Sequence, residues 1–154
     1  MSSRMFLNVR EEKGLAYYIH TTTDDYLDVG VVSTRAGVDL TRAEDAIKAM
    51  IGEYFKLADG GVAENELNKA KEYLKGKMVL RLADSEEMAH LLSQQELLYP
   101  QVKTPQDIAL EIDKITIDDI KKLAQKIFQK DKLRIAAIGP FENEDKFEKI
   151  LDTI

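Results

Sequence analysis

Cysteine is absent from this chain of 154 residues, histidine occurs twice, and proline occurs three times. Without cysteine there can be no disulfide, no thiol nucleophile and no thiolate metal site, and the compartment is left open, leaning to the cytoplasm. A zinc site requires three converging protein ligands, and no pairing of the two histidines, His20 and His90, with a nearby carboxylate repeats a zinc-binding helix spacing. His20 lies on an expected strand and His90 on an expected helix beside Met88 and Leu91, where lone histidines are packed or solvated. No Ser/Gly-rich or single-charge tract suggests a linker. No run approaches the roughly 18 apolar residues of a membrane span.

Basic character is lacking too. The net charge of −6 argues against nucleic acid, whose phosphates need a clustered basic surface. Lys121, Lys122, Lys126 and Lys130 alternate with Ile120, Leu123, Ala124 and Ile127 and read as a solvated helix face. The adjacent carboxylates Glu11-Glu12 and Glu86-Glu87 are poor acid/base pairs, because neighbours on a helix do not face one another. No phosphate-cradling glycine loop and no Ser/His/Asp arrangement stands out.

What is present is a 44% apolar composition, enough for one domain with a core, 1–154. Ser2 or Ser3 can cap a first helix with Met5, Phe6 and Val9 at helical spacing, and Gly14 supplies its stop. Residues 15–23 are rich in aromatic and β-branched types and predict a strand. Thr23-Asp24-Asp25 predicts a turn, and Leu27, Val29, Val31 and Val32 a second strand ending near Gly37, so the two form an antiparallel hairpin. A helix over 41–58 carries Ala43, Ile47, Met50, Ile51, Tyr54, Phe55 and Ala58 on one stripe and ends at Asp59-Gly60-Gly61.

A second helix over 64–81 carries Leu67, Ala70, Leu74 and Met78 and lacks a cap, since Ala63 stands where Ser or Thr would. A third begins at Asp84 or Ser85, with Met88, Leu91, Leu92 and Leu98 on its apolar face. Thr104-Pro105-Gln106-Asp107 opens a fourth and Thr116-Ile117-Asp118-Asp119 a fifth. Leu133-Arg134-Ile135-Ala136-Ala137-Ile138 predicts a buried strand closed by Gly139-Pro140, and a last helix covers 142–152. The order predicts an α+β fold, an antiparallel-rich sheet with helices packed on one face.

One stretch is far more specific. Ser2-Ser3-Arg4-Met5-Phe6, followed by Val9-Arg10-Glu11-Glu12-Lys13-Gly14-Leu15-Ala16-Tyr17, resembles the C-terminal-half signature of the M16 zinc metallopeptidases, the family of pitrilysin and the mitochondrial processing peptidase. Later blocks agree in order: Gly30 two after Asp28, then Gly61-Val62 with Glu66-Leu67 and Ala70-Lys71. Thr116 with Asp118-Asp119-Ile120 follows, and then Gly139-Pro140.

The resemblance implies the LuxS/MPP-like metallohydrolase fold and a zinc-dependent endopeptidase whose His-x-x-Glu-His helix lies in another half. It gives this chain no cofactor of its own. It implies that Arg10 holds substrate backbone carbonyls, and that Tyr17, seven positions on, stabilises the oxyanion formed as water attacks the peptide carbonyl. Both side chains also have ordinary uses, Arg10 at the negative end of a helix and Tyr17 as a packed ring at a strand start. On strand alternation Tyr17 shares a face with Leu15 and Ile19, and that face is expected to turn away from the helices, toward the zinc half.

The resemblance also makes Met1 an internal residue and this chain the last third of a longer subunit, lacking the first strand of its domain. The partners implied are the zinc-binding N-terminal half or a partner subunit, a peptide substrate, and self-association through an unfilled sheet position. An M16-like subunit without catalysis, serving structure or substrate binding as the core proteins of the respiratory bc1 complex do, is the alternative.

Overall fold

A single glycine turns the chain at its first corner. Gly14 has φ of +57°, a left-handed conformation that Cβ-bearing residues adopt at a cost, and it separates the first helix from the first strand. The structure, a computed structural model, describes residues 3–141 and 145–152. The chain forms two compact units, one from residues up to Asp59 together with those from Lys122, the other from Gly60 to Lys121.

In the first unit, Met5–Glu12 forms a wide π-helix with i→i+5 hydrogen bonding. Its start is satisfied by Ser3, whose hydroxyl accepts from the Phe6 amide at 3.3 Å and whose carbonyl accepts from Leu7 at 2.9 Å; the alternative cap Ser2 lies outside the described residues. Strand β1 (Tyr18–Asp25) pairs antiparallel with β2 (Gly30–Gly37), with Tyr18 opposite Gly37 and Asp25 opposite Gly30. Hydroxyl pairs fix this register: Thr21 with Thr34 at 2.7 Å and Thr22 with Ser33 at 3.0 Å.

The turn expected at Thr23-Asp24-Asp25 therefore falls later, where the Tyr26 amide donates to Val29 O at 2.9 Å. The threonine pairing carries β1 past the aspartates, and Leu27 and Val29 stand exposed at the tip. A glycine is needed at the far end of β2, because a Cβ on Gly37 would lie 2.6 Å from the Tyr18 ring.

Helix α1 (Ala43–Ala58) covers the hairpin face that bears Ile19 and Thr34. Met5, Val9, Leu15 and Ala46 form the core cluster, with Ile19, Val38, Met50 and Tyr54 packed against it, and the Tyr54 hydroxyl is hydrogen-bonded to that of Thr34. Burial raises the Tyr54 phenol above its ordinary value, against the lowering effect of Thr34. Glu53, buried on the same helix, is compensated from both sides. It accepts from Asn8 Nδ2 at 2.9 Å and pairs with Lys56 at 2.6 Å, as a buried carboxylate requires.

The chain returns to this unit along α5 (Ile117–Ile127), beyond which Phe128 stacks on Tyr54 with centroids 4.6 Å apart. Helix α6 (Asp145–Asp152) buries Ile150; the expected start of this helix at 142–144 lies outside the described residues. The segment 133–138 is not the buried strand its composition predicts. It forms no ladder among the described residues, and Ile138 is fully exposed. An apolar run becomes a strand only when it lies on a partner edge, and among the described residues this segment is paired with neither outer edge of the β1–β2 sheet.

The second unit holds α2 (Glu64–Arg81), α3 (Ser85–Leu98) and α4 (Pro105–Lys114). Ala63 gives α2 no side-chain cap, Asp84 caps α3 through the Glu86 amide, and Thr104 with Asp107 completes a reciprocal box at α4. Thr116 and Asp119 repeat that box at α5. Helices α2 and α4 are joined by Lys71 Nζ on Asp113 O and Lys75 Nζ on Asp113 Oδ1, both at 2.8 Å. The apolar stripes expected on α2 and α3 are mostly uncovered: only Leu67 of the α2 stripe is buried, Leu74, Leu92 and Leu98 are exposed, and α3 buries Gln95 instead. Gln95 earns that burial by pairing both amide atoms with the Lys103 backbone. Among the described residues no helix is long and apolar enough to cross a membrane. The fold is α+β, helix-rich with a two-stranded antiparallel sheet.

Candidate functional site

Arg10 and Tyr17 stand on either side of the corner that Gly14 makes. Arg10 occupies the last turn of the π-helix. Its guanidinium rests over the Phe6 ring, 4.8 Å from the centroid, and Nε lies 3.7 Å from Glu11, with 38% of the side chain exposed. The stacking leaves the donors of the fork at the edge, available to carbonyls. The ion pair with Glu11 is loose and solvated, so it holds Arg10 only weakly.

Tyr17 sits at a bend immediately before β1. Its amide donates to Gly37 O at 2.8 Å, which fixes the backbone, while the residue is 71% exposed. The expectation for its face is corrected here. Leu15 is buried and Ile19 packs on the core, so those positions turn toward the helices, not away from them. Strict alternation fails at Tyr17 because the bend precedes the strand, and its ring is left in solvent between two inward-facing neighbours.

The connector between the two residues is tied at three places. The Leu15 amide donates to Val9 O at 3.0 Å. The guanidinium of Arg42 donates from Nη1 to Gly14 O at 3.1 Å and from Nη2 to Lys13 O at 3.2 Å. The third tie is the bond from Tyr17 to Gly37. Among the described residues no hydrogen bond joins Arg10 to Tyr17; they flank the Gly14 corner, Tyr17 exposed and Arg10 partly so.

Sequence reasoning passed over Arg42 and the Asn8–Glu53 pair, since each acts across a separation of 28 residues or more. The one local signal was Asp39-Leu40-Thr41. The Asp39 carboxylate accepts from Thr41 N at 2.8 Å and Thr41 Oγ1 at 2.5 Å, and these bonds hold its acid below the ordinary range. They start the short 3₁₀ turn Leu40–Arg42.

His20 is on β1 and His90 on α3, and among the described residues no three His, Asp or Glu side chains converge as a metal group. A cleft of about 310 Å³ between Leu40, Glu44, Pro140, Phe141, Lys146 and Phe147 includes neither Arg10 nor Tyr17.

Comparison with known proteins gives a consistent picture. Residues 1–74 match the family model described as the Peptidase M16 inactive domain. Over 94% of its length the chain is 28% identical to an uncharacterized zinc protease of Streptomyces coelicolor, and over 93% it is 29% identical to the uncharacterized zinc protease YmxG of Bacillus subtilis. A probable inactive metalloprotease of Bacillus subtilis, YmfF, is 25% identical over 81% of the chain. The chain spans about a third of the length of the first two relatives, 31% and 35%. A conserved protein from Enterococcus faecalis V583 superposes with a TM-score of 0.70 at 26% identity, over 80% of this chain and 29% of the other. A chain of complex III from Candida albicans superposes at 0.72 with 19% identity, over 82% and 30%, a likeness of fold.

Proposed function

We propose, from the premise that this chain belongs to the M16 peptidase family as a C-terminal-type domain, that it is the part of a zinc-dependent endopeptidase that contributes Arg10 and Tyr17 to an active site completed elsewhere. The observation that carries the reading is the state of Tyr17: backbone fixed on Gly37, ring and hydroxyl open to solvent. A buried tyrosine would be explained by packing; a pinned and exposed one, across the Gly14 corner from a partly exposed arginine, is suited to a ligand.

Hydrolysis of a peptide bond passes through a tetrahedral species with negative charge on the former carbonyl oxygen. The Tyr17 hydroxyl can donate to that oxygen, and a donor already in place stabilises the charge without reorganising. Arg10 can offer two parallel N–H donors to substrate carbonyls and hold the scissile bond in position. The metal belongs to the other half, and no step of its chemistry falls to residues of this chain. The partners proposed are therefore the zinc-bearing half, in the same chain or a second subunit, and an extended peptide. The outer edges of β1 and β2, unpaired among the described residues, also suit a further strand from a second copy.

In the assembled enzyme, Tyr17→Phe is expected to lower turnover about 10²–10³-fold, the loss typical of one oxyanion donor, and Arg10→Ala to act mainly on KM. Unchanged turnover in Tyr17→Phe would overturn the assignment. The isolated chain is expected to retain no stoichiometric zinc on elemental analysis after dialysis and to cleave no peptide. The second reading, a non-catalytic M16-like subunit, draws on the inactive relative in Bacillus subtilis. Chelator-sensitive cleavage by the complete protein, and a His-x-x-Glu-His helix in its remainder or its partner, exclude that reading; absence of both establishes it.

A further inference from the structure

We propose that Arg42 is a positioning residue that locks the Gly14 corner and thereby sets Tyr17 relative to Arg10, an inference that rests on the site assigned above. The last carbonyls of a helix have no intrahelical donors and carry the negative end of its dipole. Here the carbonyls of the C-cap residue and of the residue after it, Lys13 O and Gly14 O, receive separate N–H groups of one guanidinium. The planar fork of arginine makes such a two-point contact with little freedom.

The corner needs an external hold. Gly14 is in the left-handed region, and no atom lies within 4 Å of where its Cβ would be. Its conformation is permitted by the absence of a side chain and is held by the Leu15–Val9 backbone bond and by the Arg42 guanidinium. Arg42 is itself anchored on the turn that Asp39 and Thr41 cap, with its amide donating to Asp39 O at 3.0 Å. That turn begins two residues beyond Gly37, the acceptor for Tyr17 N–H. One short stretch of backbone, Gly37 to Arg42, thus holds both the corner and the residue after it.

The test uses the complete zinc-containing enzyme with Arg42→Ala, Arg42→Lys, Tyr17→Phe and the Tyr17→Phe/Arg42→Ala double variant. Two readouts are taken, steady-state kinetics and site-resolved hydrogen exchange. Arg42→Ala is expected to speed exchange at the Leu15 and Tyr17 amides while Ile51 in α1 stays protected. It is expected to lower kcat about 10–100-fold, the scale of a small misplacement of a reacting group, and added guanidinium is expected to restore part of the loss. Arg42→Lys, which keeps the charge and the fold, should fall between. The double variant should be no slower than Tyr17→Phe alone, because a positioning residue has nothing left to position.

Unchanged exchange at Leu15 and Tyr17 in both Arg42 variants, or losses that simply multiply in the double variant, overturn the proposal while leaving the site intact. If Tyr17→Phe itself is harmless, the site reading fails, and faster exchange in the Arg42 variants would then report a clamp without a catalytic consequence. Should Arg42→Ala fail to fold, Arg42→Lys supplies the same two readouts.

Discussion

In the first unit the elements are held by a shared buried core, and in the second by end caps and exposed polar bridges. The π-helix draws Ser3 at its start, Arg42 at its finish, Asn8–Glu53 along its side and a core of Met5, Val9, Leu15 and Ala46. In the second unit Leu67 and Gln95 are the buried residues among those described, while Leu80 and Leu97 are about four-fifths exposed. Order there comes from Asp84, from Thr104 with Asp107 and from lysines bridging to Asp113. The candidate site lies wholly in the first kind of architecture. The proposed role of this corner needs fixed geometry, which contacts between distant residues supply; caps fix where a helix starts but not what its side chains face.

The strongest way to break this contrast is to remove apolar volume on each side. Ile51→Ala in α1 is expected to cost about 2–5 kcal/mol of unfolding free energy, and Leu97→Ala in α3 to stay within about 0.5 kcal/mol, both measured by urea denaturation. Equal losses would mean that the α3 face is covered in solution.

Two glycines sharpen the contrast at the level of the backbone. Gly14→Ala forces a Cβ into a left-handed residue and is expected to cost about 1–2 kcal/mol. Gly76→Ala lies inside α2 with nothing within 4 Å of the new Cβ, and is expected to stabilise by about 0.5–1 kcal/mol through helix propensity. The same chemical change thus has opposite signs, readable as opposite shifts in Tm.

The smallest effects concern caps and acid. Thr116→Ala is expected to cost about 1 kcal/mol, and the gain from Ala63→Ser at uncapped α2 is its mirror image. The Thr104 hydroxyl, followed by its amide, holds the Asp107 acid below its ordinary value of 3.8. A depressed acid stabilises the fold above the unfolded value and loses that contribution as pH falls through the folded one. Thr104→Ala is therefore expected to lower stability at neutral pH and to flatten its decline as pH falls below the unfolded value, the two chains converging in acid; an unaltered acid limb would remove Asp107 from the account.

Signals confined to a few residues were legible. Thr104-Pro105, Thr116 and Asp84 each announced a helix start, Ala63 announced a missing cap, and Gly14 announced the corner. That Arg10 and Tyr17 flank this corner is plain from the sequence itself; their roles are implied by the family resemblance and belong to the proposal. Features that depend on a distant partner were not legible. Residues 133–138 carry the composition of a strand without an edge beside them, and the hairpin tip moved because threonine pairs, not aspartates, set the register. Periodicity on α2 and α3 marked an apolar stripe and could not say whether anything would cover it. Arg42 was invisible because nothing local distinguishes an arginine that reaches 28 residues back from one that reaches into water.

The width of the first helix has a consequence for how this chain can tolerate change in length. A ring closed at i+5 holds one residue more than a ring closed at i+4, so Met5–Glu12 carries slack that an ordinary helix lacks. Losing one residue there would let the coil tighten to common pitch, yet Asn8 would swing off Glu53 and Arg10 off its bearing over Phe6. Length and phase are coupled in this segment. A chain shortened by one could remain helical and fold around Val9, but it would aim its arginine at a different part of the solvent.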